Sequence, residues 1–140
     1  MIGTVCIAAA VLGLCARVRR SLERNRLFRR DLAGGRVRIA PRYNQGAGFE
    51  ALPLSARQMA PLSLAALWAL LCRWGFRGVG AGLLLGGGLS YLWERLRHGR
   101  GLDYLRVPKA PGMLKRYTYN LADLAIFLGA ALLVLRRRRR

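Results

Sequence analysis

"YTYNLADLAIFLGAALLVL" runs from Tyr117 to Leu135, and five arginines, Arg136 to Arg140, close the chain behind it. The run reads as a membrane-type helix, yet it opens on an acid, Asp123. Asn120 stands three residues earlier. At that spacing Asn120 caps the helix and Asp123 occupies the third helical position, where a carboxylate also suits the helix dipole. An acid at the edge of an apolar span is equally a candidate for chemistry. Spacing alone leaves both readings open.

Composition narrows the class. A chain of 140 residues is one small domain by length. It is 54% hydrophobic and carries 25 Lys and Arg against 6 Asp and Glu, a net charge of +19. So much apolar and so much charged sequence do not share one small soluble core; here they are separated into blocks, as in membrane proteins. His98 is the one histidine, which excludes a multi-histidine metal site and leaves a Ser-His triad no other base. Cys6, Cys15 and Cys72 lie in apolar segments and read as small buried hydrophobes, not as a disulfide framework or zinc site. "LGLC" at Leu12–Cys15 has a large residue before the cysteine, which argues against a lipid-attachment site.

Four apolar runs set the expected fold: an α-helical membrane protein, a four-helix bundle with spans near 1–16, 57–75, 77–95 and 119–135, in a single domain over 1–140. Each reaches roughly 20 residues, the length needed to cross a bilayer core, only with its flanks. The first run lacks a basic start and a cleavage site, so a retained anchor is expected. In the third, "GVGAGLLLGGGLS", Gly78, Gly82 and Gly86 recur every four residues and mark a face for close helix packing. No Gly-Lys-Ser/Thr follows, which excludes a phosphate loop. Segments 17–55 and 96–118 lie on one side of the membrane. In the first, "RVRIAPRY" alternates as a short strand does and "NQGAG" is turn chemistry; in the second, Pro108, Pro111 and Gly112 break helices.

Asp103 follows the third run and Asp123 opens the fourth, so both carboxylates fall at the same lip of the bundle. Two carboxylates held close do not both ionise easily; one keeps a proton, and the pair supplies a general base and a general acid for attack of water on a peptide carbonyl. Arg100 and Arg106 flank Asp103, so a surface ion pair is the plainer alternative there.

These residues resemble those of a known family. "NLAD" at Asn120–Asp123 is similar to the Phe-Asn-x-Ala-Asp block of the lipoprotein signal peptidases (signal peptidase II), with Tyr119 for the Phe. "GGGLSYLWERLRHGRGLDYL" resembles the preceding Gly-Gly-x-x-Gly-Asn-x-x-Asp-Arg and Gly-x-Val-x-Asp-Phe blocks, with Arg95, Gly99 and Asp103 in register. "YNQGAGF" resembles the Asn-x-Gly-Ala-x-Phe turn, through Asn44, Gly46, Ala47 and Phe49. The resemblance implies a membrane aspartic endopeptidase that removes signal peptides from diacylglyceryl-modified prolipoproteins just before the lipid-bearing cysteine. It implies Asp103 and Asp123 as catalytic residues, and Asn44, Gly46, Phe49, Arg95 and Asn120 as substrate-binding or supporting ones. It further implies no metal or cofactor, a small extracytoplasmic sheet in the segment after the first span, and a bacterial cytoplasmic-membrane location with the site on the outer face. Partners are then the lipidated substrates and anionic membrane lipids, with no nucleic acid and a monomeric state.

The chain departs from the pattern at Ser90 and Tyr91, where the family has Gly-Asn, at Glu94, where it has Asp, and in "LCARVRR", where it has an acid and a lysine. The glycines of the third run and Ser90 are the expected neighbours of the Tyr91 ring. The positive-inside count opposes the implied orientation, because eighteen of the 25 basic residues fall on the side of the two long segments. Two other readings are a catalytically inactive relative that binds lipidated peptides, motivated by Ser90 and Tyr91, and a basic membrane adaptor that binds anionic lipid, motivated by the net charge.

Overall fold

The computed structural model describes residues 1–25, 29–44 and 56–138. Among them are four helices, α1 (Ile2–Arg24), α2 (Ala56–Trp74), α3 (Val79–His98) and α4 (Leu121–Arg138), and three strands, β1 (Arg30–Leu32), β2 (Val37–Asn44) and β3 (Gly101–Arg106). The strands form one antiparallel sheet in the order β1-β2-β3. By length and composition, α1 alone among the described helices is long and apolar enough to cross a bilayer; Pro61–Arg73 within α2 is a shorter apolar stretch.

The first helix continues well past Ala16, where hydropathy ends. Arginine is a good helix former, and Val18 and Leu22, set among the arginines, pack on Leu102 and Tyr104 of the sheet. The first run is therefore both the apolar helix and the post on which the sheet rests. The strand expected in "RVRIAPRY" is β2. Its register slips between Ile39 and Arg42, across Pro41, which has no N–H to give to a ladder. The expected sheet is not confined to the segment after the first run: its third strand comes from beyond α3. That strand was hidden in the sequence because "GLDYLR" is buried over its first four residues, so it lacks clear polar alternation.

Glycines fix how the helices meet. A Cβ on Gly82 would lie 2.8 Å from Ile7, and one on Gly86 would lie 2.7 Å from the Ala8 carbonyl oxygen, so both are pressed against α1. Gly80 and Gly87 meet α4 in the same way, at Gly129 O and Ala122 O, and Gly88 meets Leu67 of α2. α3 is thus the common partner of the other three helices. It runs parallel to α1, since Thr4 neighbours Gly78 and Gly82 while Ala8 and Val11 neighbour Gly86. It runs antiparallel to α4, since Gly80 faces Gly129 while Gly87 faces Ala122. Gly78 does not belong to the packing stripe. It precedes the helix with φ 105°, and its N–H donates to Thr4 Oγ1 at 3.0 Å.

Leu67, Leu71, Ala81, Leu84 and Leu133 fill the interhelical core. The outside is as apolar as the inside: Ile2, Leu64, Trp68, Trp93, Phe127 and Leu135 are each more than half exposed. Of the cysteines expected to be buried, Cys15 is, whereas Cys6 and Cys72 lie on this apolar exterior.

Gly86→Ala should lower the melting temperature in detergent, at a cost of about 1–3 kcal/mol, because a single methyl there meets a backbone carbonyl. Gly3→Ala, which meets nothing within 4 Å, should be neutral or slightly stabilising. Equal melting of the two variants would contradict this packing.

Candidate functional site

Gly99 ends α3 in the left-handed region, φ 68°, with its N–H on the Arg95 carbonyl at 3.0 Å. Only two residues later the chain is in β3, which carries Asp103. The far end of the site is set by Tyr119. The N–H groups of Tyr104 and Leu105 donate to Tyr119 O at 2.8 and 2.7 Å, and Tyr119 N–H donates to Leu105 O at 2.7 Å. This clamp ties the residues after Asp103 to the residue before Asn120.

Asn120 then does two jobs. Its Oδ1 accepts from the Asp123 N–H at 3.0 Å, and the Asp123 carboxylate accepts in return from the Asn120 N–H at 2.9 Å. That is a reciprocal cap in which Asp123 uses one oxygen, Oδ2. The other end of the same amide, Nδ2, donates to Asp103 Oδ1 at 2.8 Å. Asn44 Nδ2, from the end of β2, donates to Asp103 Oδ2 at 3.0 Å. The cap expected at Asp123 is therefore formed, and the same asparagine links it to Asp103. Asp103 itself is buried rather than at the surface, and Arg100, one of its sequence neighbours, lies over the Tyr43 ring at 3.7 Å.

Asp103 and Asp123 line one cavity of about 320 Å³, together with Asn44, Arg95 and Tyr91. Its remaining walls are mainly apolar, from Leu67 and Leu70 of α2, Leu84 of α3, and Ile126 and Phe127 of α4. Arg95 is buried, with its guanidinium 4.9 Å from the centre of the Tyr91 ring. The site thus brings together Asp103, Asp123, Asn44, Arg95 and Asn120. Gly46 and Phe49, with Ala47 and the "NQGAG" turn, lie outside the described residues.

The departures divide between two faces of α3. Tyr91 faces the cavity; Ser90 lines a separate groove against α1 and is no neighbour of the ring within the cavity. Glu94 also points away from the cavity: its Oε2 accepts from Leu102 N–H at 3.2 Å and pairs with Arg19 Nη1 at 3.2 Å. Arg19 is buried and meets Glu23 at 3.1 Å on its other side. Sequence reading missed Arg19 and Glu23, whose only signal is their i,i+4 spacing. It also missed Tyr104, whose hydroxyl accepts from Leu121 N–H at 3.1 Å. Burial pushes the Tyr104 phenol well above its ordinary value, so it stays protonated. Among the described residues no group of three or more His, Cys, Asp or Glu is arranged to hold a metal ion.

Comparison with known proteins finds that residues 5–138 match the family described as signal peptidase (SPase) II. The lipoprotein signal peptidase of Halothermothrix orenii is 34% identical over 98 residues, covering 66% of this chain and 63% of that protein, so the match spans less than two thirds of that relative's length. Two solved structures share the fold. One, a bacterial membrane enzyme determined by the in meso method at 2.3 Å, aligns with a TM-score of 0.79 at 16% identity over 99% of this chain and 89% of its own. Another, a bacterial membrane enzyme determined at 1.9 Å, aligns with a TM-score of 0.72 at 17% identity over 96% and 91%.

Asn120→Ala should cost about 1–2 kcal/mol through the lost cap, with a further penalty from the Asp103 oxygen left without its donor. Asn120→Asp keeps the cap but turns a third carboxylate on Asp103. It should therefore melt closer to the parent protein in mildly acidic buffer than at neutral pH, where the added acid is charged. A pH-independent loss equal to that of Asn120→Ala would count against the double role of Asn120.

Proposed function

Because the chain belongs to the signal peptidase II family, we propose that it is a membrane aspartic endopeptidase that removes signal peptides from diacylglyceryl-modified prolipoproteins, cutting just before the lipid-bearing cysteine. The observation that carries this reading is the pair Asp103 and Asp123 at the polar end of one mainly apolar cavity, linked through Asn120.

The chemistry follows from that pair. Two like charges in an apolar cavity disfavour double ionisation, so the resting site holds one proton between two carboxylates. The ionised carboxylate takes a proton from water as the water oxygen attacks the scissile carbonyl carbon. The protonated one gives its proton to the developing oxyanion; on collapse the carboxyl holding the water proton passes it to the leaving nitrogen, and the other carboxylate takes a hydroxyl proton back from the diol, restoring one proton to the pair. Asn44 and Asn120 each donate an amide N–H to Asp103, one to each carboxylate oxygen, which fixes its plane. Asp123 has its Oδ2 tied to the helix cap, which holds the carboxylate in one rotamer. The apolar walls offered by α2 and α4 suit an acylated, hydrophobic substrate segment.

The membrane arrangement is part of the same proposal. All four helices are spans, each completed by its flanks, and the bundle is turned apolar side out into lipid. Exposed Trp68, Trp93, Phe127 and Leu135 form an outer surface far too apolar for water. The parallel and antiparallel helix directions suit an up-down-up-down path. In this reading segments 17–55 and 96–118, with the sheet, stand on the extracytoplasmic face of a bacterial inner membrane, and the arginine tail stands in the cytoplasm. The chain acts as a monomer, and its outward-facing basic residues meet anionic headgroups.

Asp103→Asn and Asp123→Asn should each lower cleavage of a diacylglyceryl-modified prolipoprotein by at least about a hundredfold, read as product mass, while the amount of protein in the membrane is unchanged. Near-normal turnover in either variant would remove that residue from the dyad. Absence of cleavage by the parent chain would favour the inactive, peptide-binding relative.

Orientation has its own test. In a background lacking Cys6, Cys15 and Cys72, single cysteines at Arg30 and Lys109 should react with an impermeant thiol reagent in intact cells. Labelling only after lysis would reverse the orientation, as the positive-inside count prefers.

A further inference from the structure

A second concavity, about 710 Å³, lies between α1 and α3, on a different face of α3 from the dyad cavity. Its α1 side is Ala9, Leu12, Gly13, Ala16 and Arg20, one helix face at i, i+3, i+4, i+7 and i+11. The eleven steps from Ala9 to Arg20 rise about 16 Å, close to half of a hydrocarbon core of about 30 Å. Over the depth of one leaflet the groove therefore passes from apolar to cationic. Because α1 and α3 run parallel, the Arg19–Glu94 pair brings their polar ends to one level, and Arg97 joins Arg20 at the mouth. Trp93, exposed on the same wall one turn before Arg97, supplies the ring typical of the headgroup boundary.

The charges at the mouth are unequally committed. Glu23 and Glu94 both face Arg19, at 3.1 and 3.2 Å, and Glu94 also holds the Leu102 N–H. Arg20 and Arg97 are exposed and have no ion pair among the described residues. Arg19, Arg20 and Arg97 against Glu23 and Glu94 leave the mouth with more cations than carboxylates.

We propose that this groove holds one anionic phospholipid, with its phosphate between Arg20 and Arg97 and an acyl chain along Ala9, Leu12 and Ala16. A soluble anion would leave the apolar lower half unfilled, and a zwitterionic lipid would bring its own cation to the arginines. The inference rests on the membrane reading above but not on the peptidase chemistry, since it concerns a different face of α3.

Native mass spectrometry of the full-length protein, released from detergent with added phosphatidylglycerol or phosphatidylcholine, tests it. One phosphatidylglycerol should be retained in preference to phosphatidylcholine. Arg20→Gln/Arg97→Gln should weaken that retention by about thirtyfold, from the attraction that two arginines exert on an anionic headgroup. Arg30→Gln/Arg36→Gln removes the same charge from the exposed β1–β2 hairpin and should leave retention nearly unchanged. Equal retention of the two lipids would overturn the proposal. So would full retention by the groove variant, or an equal loss in the sheet variant, which would mean diffuse attraction without a site. Parallel cleavage assays on the parent chain keep failure here distinct from failure of the peptidase reading.

Discussion

Everything at the polar end of the molecule depends on the three backbone hydrogen bonds between β3 and Tyr119. Asp103 and Asp123 come from segments separated by a proline-containing connection, and neither strand nor helix alone holds one against the other. The clamp removes that freedom. It sets the backbone of β3 beside the entrance of α4, so that the Asn120 side chain spans from the helix cap to Asp103. Each bond contributes only about 1 kcal/mol net. Their effect is nonetheless large, because a carboxylate pair works only within a fraction of an ångström of its productive geometry. Tyr104 strengthens the same junction by accepting from the first N–H of α4 while its ring fills the core beneath the sheet.

The second constraint is the glycine surface of α3. On the proposed membrane reading there is little hydrophobic gain from pressing two apolar helices together, so backbone proximity and dispersion do it. Glycines on three faces of one helix let α1, α2 and α4 all approach it. The result is a central helix whose C-terminal half turns Tyr91 and Arg95 to the cavity and Glu94 toward α1. The dyad cavity and the α1–α3 groove are two consequences of that one arrangement.

Much of this was legible in the sequence, and the parts that were not share a cause. The apolar runs, the strand in "RVRIAPRY" and the spacing of Asn120 and Asp123 are local signals. Residues a few positions apart decide them: Asn120 and Asp123 form the cap their spacing suggested, and Asp123 lines the cavity. What escaped were features fixed by distant partners. α1 outlasts its hydropathy because Leu22 finds Leu102 and Tyr104 across the fold. β3 has no alternation because it is buried on both sides at its start. Gly78 has the right spacing for the packing stripe, but a turn takes it out of the helix. Ser90 and Tyr91 are adjacent in sequence and about 100° apart around the helix, which sends one to the groove and the other to the cavity.

That angular separation also sorts the departures from the family pattern. Glu94 lies on the side of α3 toward α1, where its longer arm reaches both the Leu102 N–H and Arg19. Arg19 sits where the pattern calls for basic and acidic groups at the end of the first helix, and Glu23 supplies an acid one turn later. Arg19 and Glu94 meet as an ion pair. Its hydrogen bond to Leu102, the residue before Asp103, makes it a brace behind β3. Ser90 falls on the same far side. Tyr91 alone stands in the cavity with the carboxylates, stacked on Arg95. An asparagine there would offer both an amide donor and an acceptor; tyrosine offers one hydroxyl at the end of a ring and takes up space. The carboxylates keep their own donors, Asn44 and Asn120, neither of which the substitution touches. On the proposed reading, the change therefore bears on what fits against Asp103 and Asp123 rather than on how those carboxylates are held.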